Sequence, residues 1–113
     1  MSTARAITKY IRISPRKARL AAGLCRGLPI QHAKEQLKVC QLKAGALLLK
    51  TLESAIANGE SVFNMRRENM IVQEVRVDAG PIMKRSKPKN KGGSHPIMKR
   101  ASHFTVVVSE EGV

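Results

Sequence analysis

Seven cations and no acid occupy the stretch Gly80–Arg100, GPIMKRSKPKNKGGSHPIMKR: Lys84, Arg85, Lys87, Lys89, Lys91, Lys99 and Arg100. Side chains of this kind neutralise a polyanion; they do not make or break bonds. The stretch also echoes itself, Pro81-Ile82-Met83-Lys84-Arg85 returning as Pro96-Ile97-Met98-Lys99-Arg100. A second acid-free region covers residues 1–34 and carries Arg5, Lys9, Arg12, Arg16, Lys17, Arg19, Arg26 and Lys34. Within it, Ser14-Pro15 is a helix start, with Ser as N-cap and Pro at the first helical position. Arg16, Lys17 and Arg19 then fall in the first turns, where the helix dipole disfavours cations. A phosphate would resolve that misfit, because free N–H groups and basic side chains meet there; a solvated basic face is the plainer alternative.

Bond-breaking chemistry finds no comparable constellation. No paired carboxylates fall in a plausible cleft, and His32, His95 and His103 are scattered. His95 among its lysines is the one thin acid–base candidate for a nuclease. Cys25 and Cys40 fit neither a zinc spacing nor a disulfide framework; they read as small apolar residues in a reducing compartment. The expectation is a protein without metal, cofactor or catalytic residues.

The formal net charge of +13 over 113 residues repels itself unless a polyanion is present. Nucleic acid is the first choice and an anionic membrane surface the weaker one. Aromatic residues are 3% of the chain and Trp is absent, which argues against readers of single strands that stack bases on aromatic faces. No apolar run is long enough to span a bilayer, and the opening MSTARAITKY lacks a secretory signal's apolar region. A cytoplasmic location is expected.

The elements that hold these residues follow from periodicity. Residues 4–13 read as an edge or half-exposed strand, with Ile7, Ile11 and Ile13 on one parity and Ala6, Thr8, Tyr10 and Arg12 on the other. A helix runs from Ser14 to about Arg26, with Gly27 in the left-handed position that ends it. A short helix spans Ile30 to Cys40. The longest spans Gln41 to Gly59, stopped by Asn58-Gly59, with Leu48, Leu52, Ala55, Ile56 and Gly59 as its apolar stripe and Lys43, Lys50 and Glu53 away from it. Gly45 inside that helix marks a close crossing. Residues 61–69 read as a polar connection. In the strand Ile71–Ala79, the residues Ile71, Val75, Val77 and Ala79 share the apolar face; in Ser102–Ser109, Phe104, Val106 and Val108 face the helices. The expected fold class is α+β, one domain over residues 1–113, with three antiparallel strands, three helices on one face, and a protruding hairpin arm over 80–100.

Such an arm has no core of its own. Ten residues per leg reach roughly 33 Å, and an isolated two-stranded hairpin is marginal in water. Its like charges repel, so it orders against a phosphate-lined partner; a disordered, solvated basic loop is the plainer alternative.

Three blocks carry a resemblance. Leu52-Glu53-Ser54-Ala55-Ile56-Ala57-Asn58, Val77-Asp78-Ala79-Gly80-Pro81-Ile82-Met83-Lys84-Arg85 and Lys99-Arg100-Ala101-Ser102-His103-Phe104-Thr105-Val106-Val107-Val108 closely resemble the bacterial large-subunit ribosomal protein L twenty-two family, as does Ser14-Pro15-Arg16-Lys17-Ala18-Arg19. The resemblance covers nearly the whole chain. It implies a small α+β domain on the surface of the large subunit near the polypeptide exit, with a hairpin threading through ribosomal RNA. Its tip would help line the nascent-peptide tunnel, opposite an extension of another large-subunit protein, L four. On that basis Arg5, Lys9, Arg12, Arg16, Lys17, Arg19, Lys84, Arg85, Lys87, Lys99 and Arg100 are the candidate RNA contacts. Met83, Lys89, Asn90, Lys91, Gly92 and Gly93 are the candidates for the tunnel wall. The family's tip usually shows a Pro-Arg-Ala-x-Gly-Arg-Ala run; here Lys89 and Lys91 replace planar arginines and forgo their bidentate phosphate fork. A DNA-reading helix-turn-helix fits less well, since the third helix is the most apolar one.

Overall fold

The computed structural model describes residues 3–88 and 94–110, and over 83–88 and 94–99 it describes the backbone. In chain order the elements are β1 (Thr3–Ile11), α1 (Pro15–Ala22), α2 (Ile30–Val39), α3 (Lys43–Phe63), a single 3-10 turn (Arg67–Asn69), β2 (Met70–Ala79), β3 (Met83–Pro88), β4 (Ser94–Lys99) and β5 (Ser102–Glu110). The fold is α+β. The last strand takes the centre of an antiparallel sheet ordered β1-β5-β2, and β3 and β4 form a second, two-stranded sheet. Helix α3 lies over β1 and β5, α1 lies over β2, and α2 packs on α3.

The central strand follows its expected alternation on the inward face, while on the other parity Thr105 and Ser109 are buried as well, contrary to a face that is wet throughout. Phe104, Val106 and Val108 are buried under the helices. Both flanking strands depart from simple alternation, and for one reason. In β1 the inward residues are Ala4 and Ala6, while Ile7 is 49% exposed. A bulge between Thr8 and Ile11, with Tyr10 at φ 60, then switches parity, so Ile13 is buried and Ile11 packs against the core. The expected face of Ile7, Ile11 and Ile13 is thus correct only after the bulge. In β2 a shift between Val72 and Glu74 does the same, turning Met70 and Val72 and then Val75 and Val77 inward. Ile71 is half-buried and Ala79 exposed, contrary to their expected place on the apolar face. An extra residue in one strand of a pair rotates everything beyond it to the other face.

The helix boundaries differ too. Helix α1 ends at Ala22, four residues short of Arg26, because tighter i to i−3 bonds from Leu24 to Ala21 and from Cys25 to Ala22 take over. Gly27 is left-handed as expected, at φ 76, but it closes this run of turns and not the helix itself. Helix α3 continues past Asn58-Gly59 to Phe63 and stops at Asn64, at φ 52, where the Met65 N–H returns to the Gly59 carbonyl. Residues 61–69 are therefore not a polar connection throughout: the first three are helical and Met65 is buried. The stripe Leu48, Leu52, Ala55, Ile56 and Gly59 is buried as predicted. Gly45 does sit at a close crossing. A Cβ there would stand 2.9 Å from Cys40 Cβ and 3.0 Å from the Leu37 carbonyl oxygen at the end of α2.

The hairpin register places the two echoed motifs against each other: Met83 opposite Lys99, Lys84 opposite Met98 and Arg85 opposite Ile97. Its described ladder has six residues a side, not ten. The break between the two sheets falls at residues 80–82 and 100–101, where the Gly80 N–H bonds the Ala101 carbonyl at 2.9 Å. The molecule measures 67 Å along its longest axis and 16 Å along its shortest. Met83 opens β3; Lys89, Asn90, Lys91, Gly92 and Gly93 lie outside the described residues.

Candidate nucleic-acid interface

Two hydrogen bonds and a ring contact hold the end of β1 and the segment after it against the root of the arm. The bulged Tyr10 donates its N–H to Nδ1 of His103 at 3.1 Å, and the two rings meet edge-on at 5.0 Å. Ser102 Oγ, fully buried, donates to the Ile13 carbonyl at 2.7 Å. Ser14 then caps α1, its Oγ accepting from the Lys17 N–H at 3.3 Å. The outcome is that Arg12, the first turn of α1 and Arg100 at the foot of β4 converge, although they are far apart in sequence.

Two grooves share Arg100. One is an open cavity of about 820 Å³ that also presents Arg12, Lys17 and Lys43; the other presents Arg16 and Arg19. The structure thus brings together five of the cations singled out in the sequence: Arg12, Arg16, Lys17, Arg19 and Arg100. Lys84, Arg85, Lys87 and Lys99 occupy register positions on the two legs of the arm that begins there. Arg5 stands apart, in a groove on the open sheet face beside Glu74, Arg76 and Asn58, and Lys9 lies exposed at the bulge.

Lys43 was not legible as part of this group. Its place away from the apolar stripe was visible; that the start of α3 lies beside the start of α1 was not. The end of α3 adds its own field here. No acid occupies its first turn and no side chain caps it, so the positive end of a 21-residue helix faces the same cations. At the opposite end of α3 Arg67 pairs with Glu60, and the Glu110 carboxylate accepts the Arg66 backbone N–H. On the open sheet face Arg76 pairs with Glu74 at 3.0 Å. Positive charge is therefore concentrated at the arm and its root.

Not every arginine in and just after α1 is free for a partner. Arg19 gives both Nε and Nη2 to the Val77 carbonyl, at 3.3 and 3.1 Å, and Arg26 gives the same pair to the Val75 carbonyl, at 3.1 and 2.8 Å. These carbonyls lie on the outer edge of β2. The same edge is closed further along by Gly27 N–H to Val72 O and Val72 N–H to Leu28 O, both 2.9 Å. Arg19 keeps an exposed side chain and one amino group for a phosphate.

Among the described residues no three His, Cys, Asp or Glu side chains gather to hold a metal ion, and no helix is long and apolar enough to cross a membrane. Burial raises the Cys25 thiol above its ordinary value of 9.0, against a smaller opposing pull from Arg26. That keeps it a protonated, unreactive thiol.

Comparison with known proteins decides the family. The model of ribosomal protein L22p/L17e matches residues 6–109. The chain belongs to the L22p/L17e family. Among its relatives in that family, the large ribosomal subunit protein uL22 of Protochlamydia amoebophila (strain UWE25) is 69% identical over 109 residues, covering 96% of this chain and 98% of the relative. The uL22 proteins of Chlamydia pneumoniae and of Chlamydia trachomatis serovar L2 are 60% and 57% identical, over 95% and 96% of this chain and 96% and 97% of theirs. The family match spans β1, the helices, the arm and β5, so the cations gathered at the arm root all lie within it.

Proposed function

We propose that this chain is a structural constituent of the large ribosomal subunit, not an enzyme, working in the cytoplasmic ribosome. It binds large-subunit ribosomal RNA and supports subunit assembly. The arm over 80–100 reaches inward from a single domain, and its tip lines the nascent-peptide exit tunnel. Arg12, Arg16, Lys17, Arg19 and Arg100 anchor the root on RNA phosphates, with Arg5 and Lys9 on the flanking strand. Lys84, Arg85, Lys87 and Lys99 continue that contact along the legs. Met83 and Lys89, Asn90, Lys91, Gly92 and Gly93 are the proposed tunnel-wall residues, near an extension of the L four protein and the nascent peptide.

The observation that carries this reading is the convergence of cations from the β1–α1 connection, α1 and α3 on the foot of a two-stranded arm with no core of its own. The relatives are large ribosomal subunit proteins, which supplies the partner. Phosphate contacts of this number make affinity fall steeply with salt, and shape recognition of folded RNA suits a protein so poor in aromatic faces. The test is deletion of residues 84–99, with binding to large-subunit RNA and incorporation into subunits as readouts. The expected result is loss of incorporation and a flatter salt dependence. Unchanged affinity and incorporation would end the case for an RNA role of the arm.

A further inference from the structure

The larger groove at the arm root is not simply a basic surface. Its rim holds Arg12, Lys17, Lys43 and Arg100, drawn from four parts of the chain, and its described lining contains no acid. Most of the rest of its lining is apolar. Leu20 and Leu42 lie in the groove at 64% and 42% exposure, large side chains that a free protein leaves in water. None of the four cations makes an ion pair among the described residues. The volume, about 820 Å³, falls in the range of roughly 300–1,000 Å³ typical of sites that enclose a small ligand.

A ladder of phosphates alone would leave the two leucines facing water or charged oxygens. An apolar peptide alone would leave four like charges uncompensated. An unstacked nucleotide matches both halves in one covalent unit, with a flat, weakly polar base beside a phosphate. We infer that this groove seats a single extruded nucleotide of the bound RNA, its base against Leu20 and Leu42 and its flanking phosphates on Lys17, Lys43, Arg12 and Arg100. The proposal rests on the RNA-binding reading given above and adds a specific pocket to it. No aromatic side chain lines the groove, so the base is held by aliphatic contact and by the planar guanidinium faces of Arg12 and Arg100, which can stack on bases as aromatic rings do. The uncapped start of α3, with its free N–H groups, favours a phosphate near Lys43.

The test uses the full chain bound to full-length large-subunit ribosomal RNA. Leu20→Ala with Leu42→Ala changes exposed side chains and leaves the start of α3 uncapped, so the fold is retained; circular dichroism and the urea midpoint verify this. The expected result is affinity weaker by roughly tenfold, comparable to losing one base's stacking contact, with an unchanged slope of log K against log salt. Lys17→Gln with Lys43→Gln should instead flatten that slope by about 0.7 per charge removed. A diazirine analogue of leucine at position 42 should cross-link to one nucleotide, mapped by a reverse-transcription stop. Wild-type affinity in the double-alanine variant, or cross-links at position 42 to a neighbouring protein in the assembled subunit, would overturn the nucleotide pocket while leaving RNA binding intact. Absence of RNA binding by the unaltered chain would instead overturn the parent reading.

Discussion

Arg26 grips the carbonyl of Val75 with two nitrogens, Nε at 3.1 Å and Nη2 at 2.8 Å. The pair lies on the outer edge of β2, where ladder hydrogen bonds end and the strand would otherwise offer itself to another chain. Replacing Arg26 by Ala should destabilise the fold by about 1–2 kcal/mol, the net value of charge-assisted hydrogen bonds at a partly exposed site. Arg26→Lys should recover only part of this, because an ammonium lacks the planar fork. Urea unfolding midpoints check both. RNA affinity should change far less than for Lys17 or Arg100, since Arg26 is engaged within the fold.

Two glycines of α3 should respond oppositely to alanine. At Gly45 the new Cβ meets Cys40 Cβ at 2.9 Å and a backbone oxygen, that of Leu37, at 3.0 Å. Neither can retreat without moving α2. Gly45→Ala should therefore cost about 1–3 kcal/mol as overpacking, against its gain in helix propensity. At Gly59 the nearest atoms are Met70 Cε at 3.0 Å and Met65 Sδ at 3.2 Å, the ends of flexible side chains. Gly59→Ala should be neutral or stabilising by up to about 1 kcal/mol. Thermal melts of the two variants side by side distinguish the cases; equal shifts would contradict the geometry.

Alkaline pH should weaken the fold through Cys25. Burial holds its folded thiol above the ordinary 9.0, so from 9.0 upward the unfolded chain loses its proton while the folded chain keeps it. The thiol's contribution is full below that value and falls as pH rises through the folded value. Unfolding midpoints of the wild type and of Cys25→Ala, measured below and above pH 9.0, should show the wild type losing relative stability only above it. Iodoacetamide should label half-buried Cys40 well before buried Cys25.

The arm should gain protection only with its partner. In β3 and β4 each strand has one neighbour, and no further strand or helix covers them among the described residues. Amide exchange over residues 83–88 and 94–99 should be fast in the free protein and slowed on adding large-subunit RNA, while β5 stays protected in both states. Slow exchange of the arm without RNA would show that it holds its structure unaided.

How much was legible in the sequence varies from residue to residue. Phe104, Val106 and Val108 announced their face because they share one parity of β5 with both neighbouring strands in place. The α3 stripe was equally readable, since apolar residues at helical spacing need no partner to be recognised. The bulge at Tyr10 was not: inserting one residue into a ladder leaves no compositional mark, and Ala4 and Ala6 are weaker signals than the Ile7 they displaced from the core. Asn58-Gly59 looked like a stop because Gly is a poor helix former. Packing against Met65, Met70 and Ala4 kept the helix going to Asn64.

The sign, the acid-free arm and the echoed Pro-Ile-Met-Lys-Arg units belong to the sequence itself. Charge and local pattern are properties of each residue and its near neighbours, and with them came the family and the polyanionic partner. Which cations lie together was decided only in three dimensions. Tyr10 against His103 and Ser102 against Ile13 bring Arg12 to Arg100, and the crossing of α1 and α3 adds Lys43 and two exposed leucines between them. Tertiary packing also turned Arg19 and Arg26 towards the edge of β2. Long-range proximity depends on how whole elements pack, and no spacing along the chain encodes that by itself.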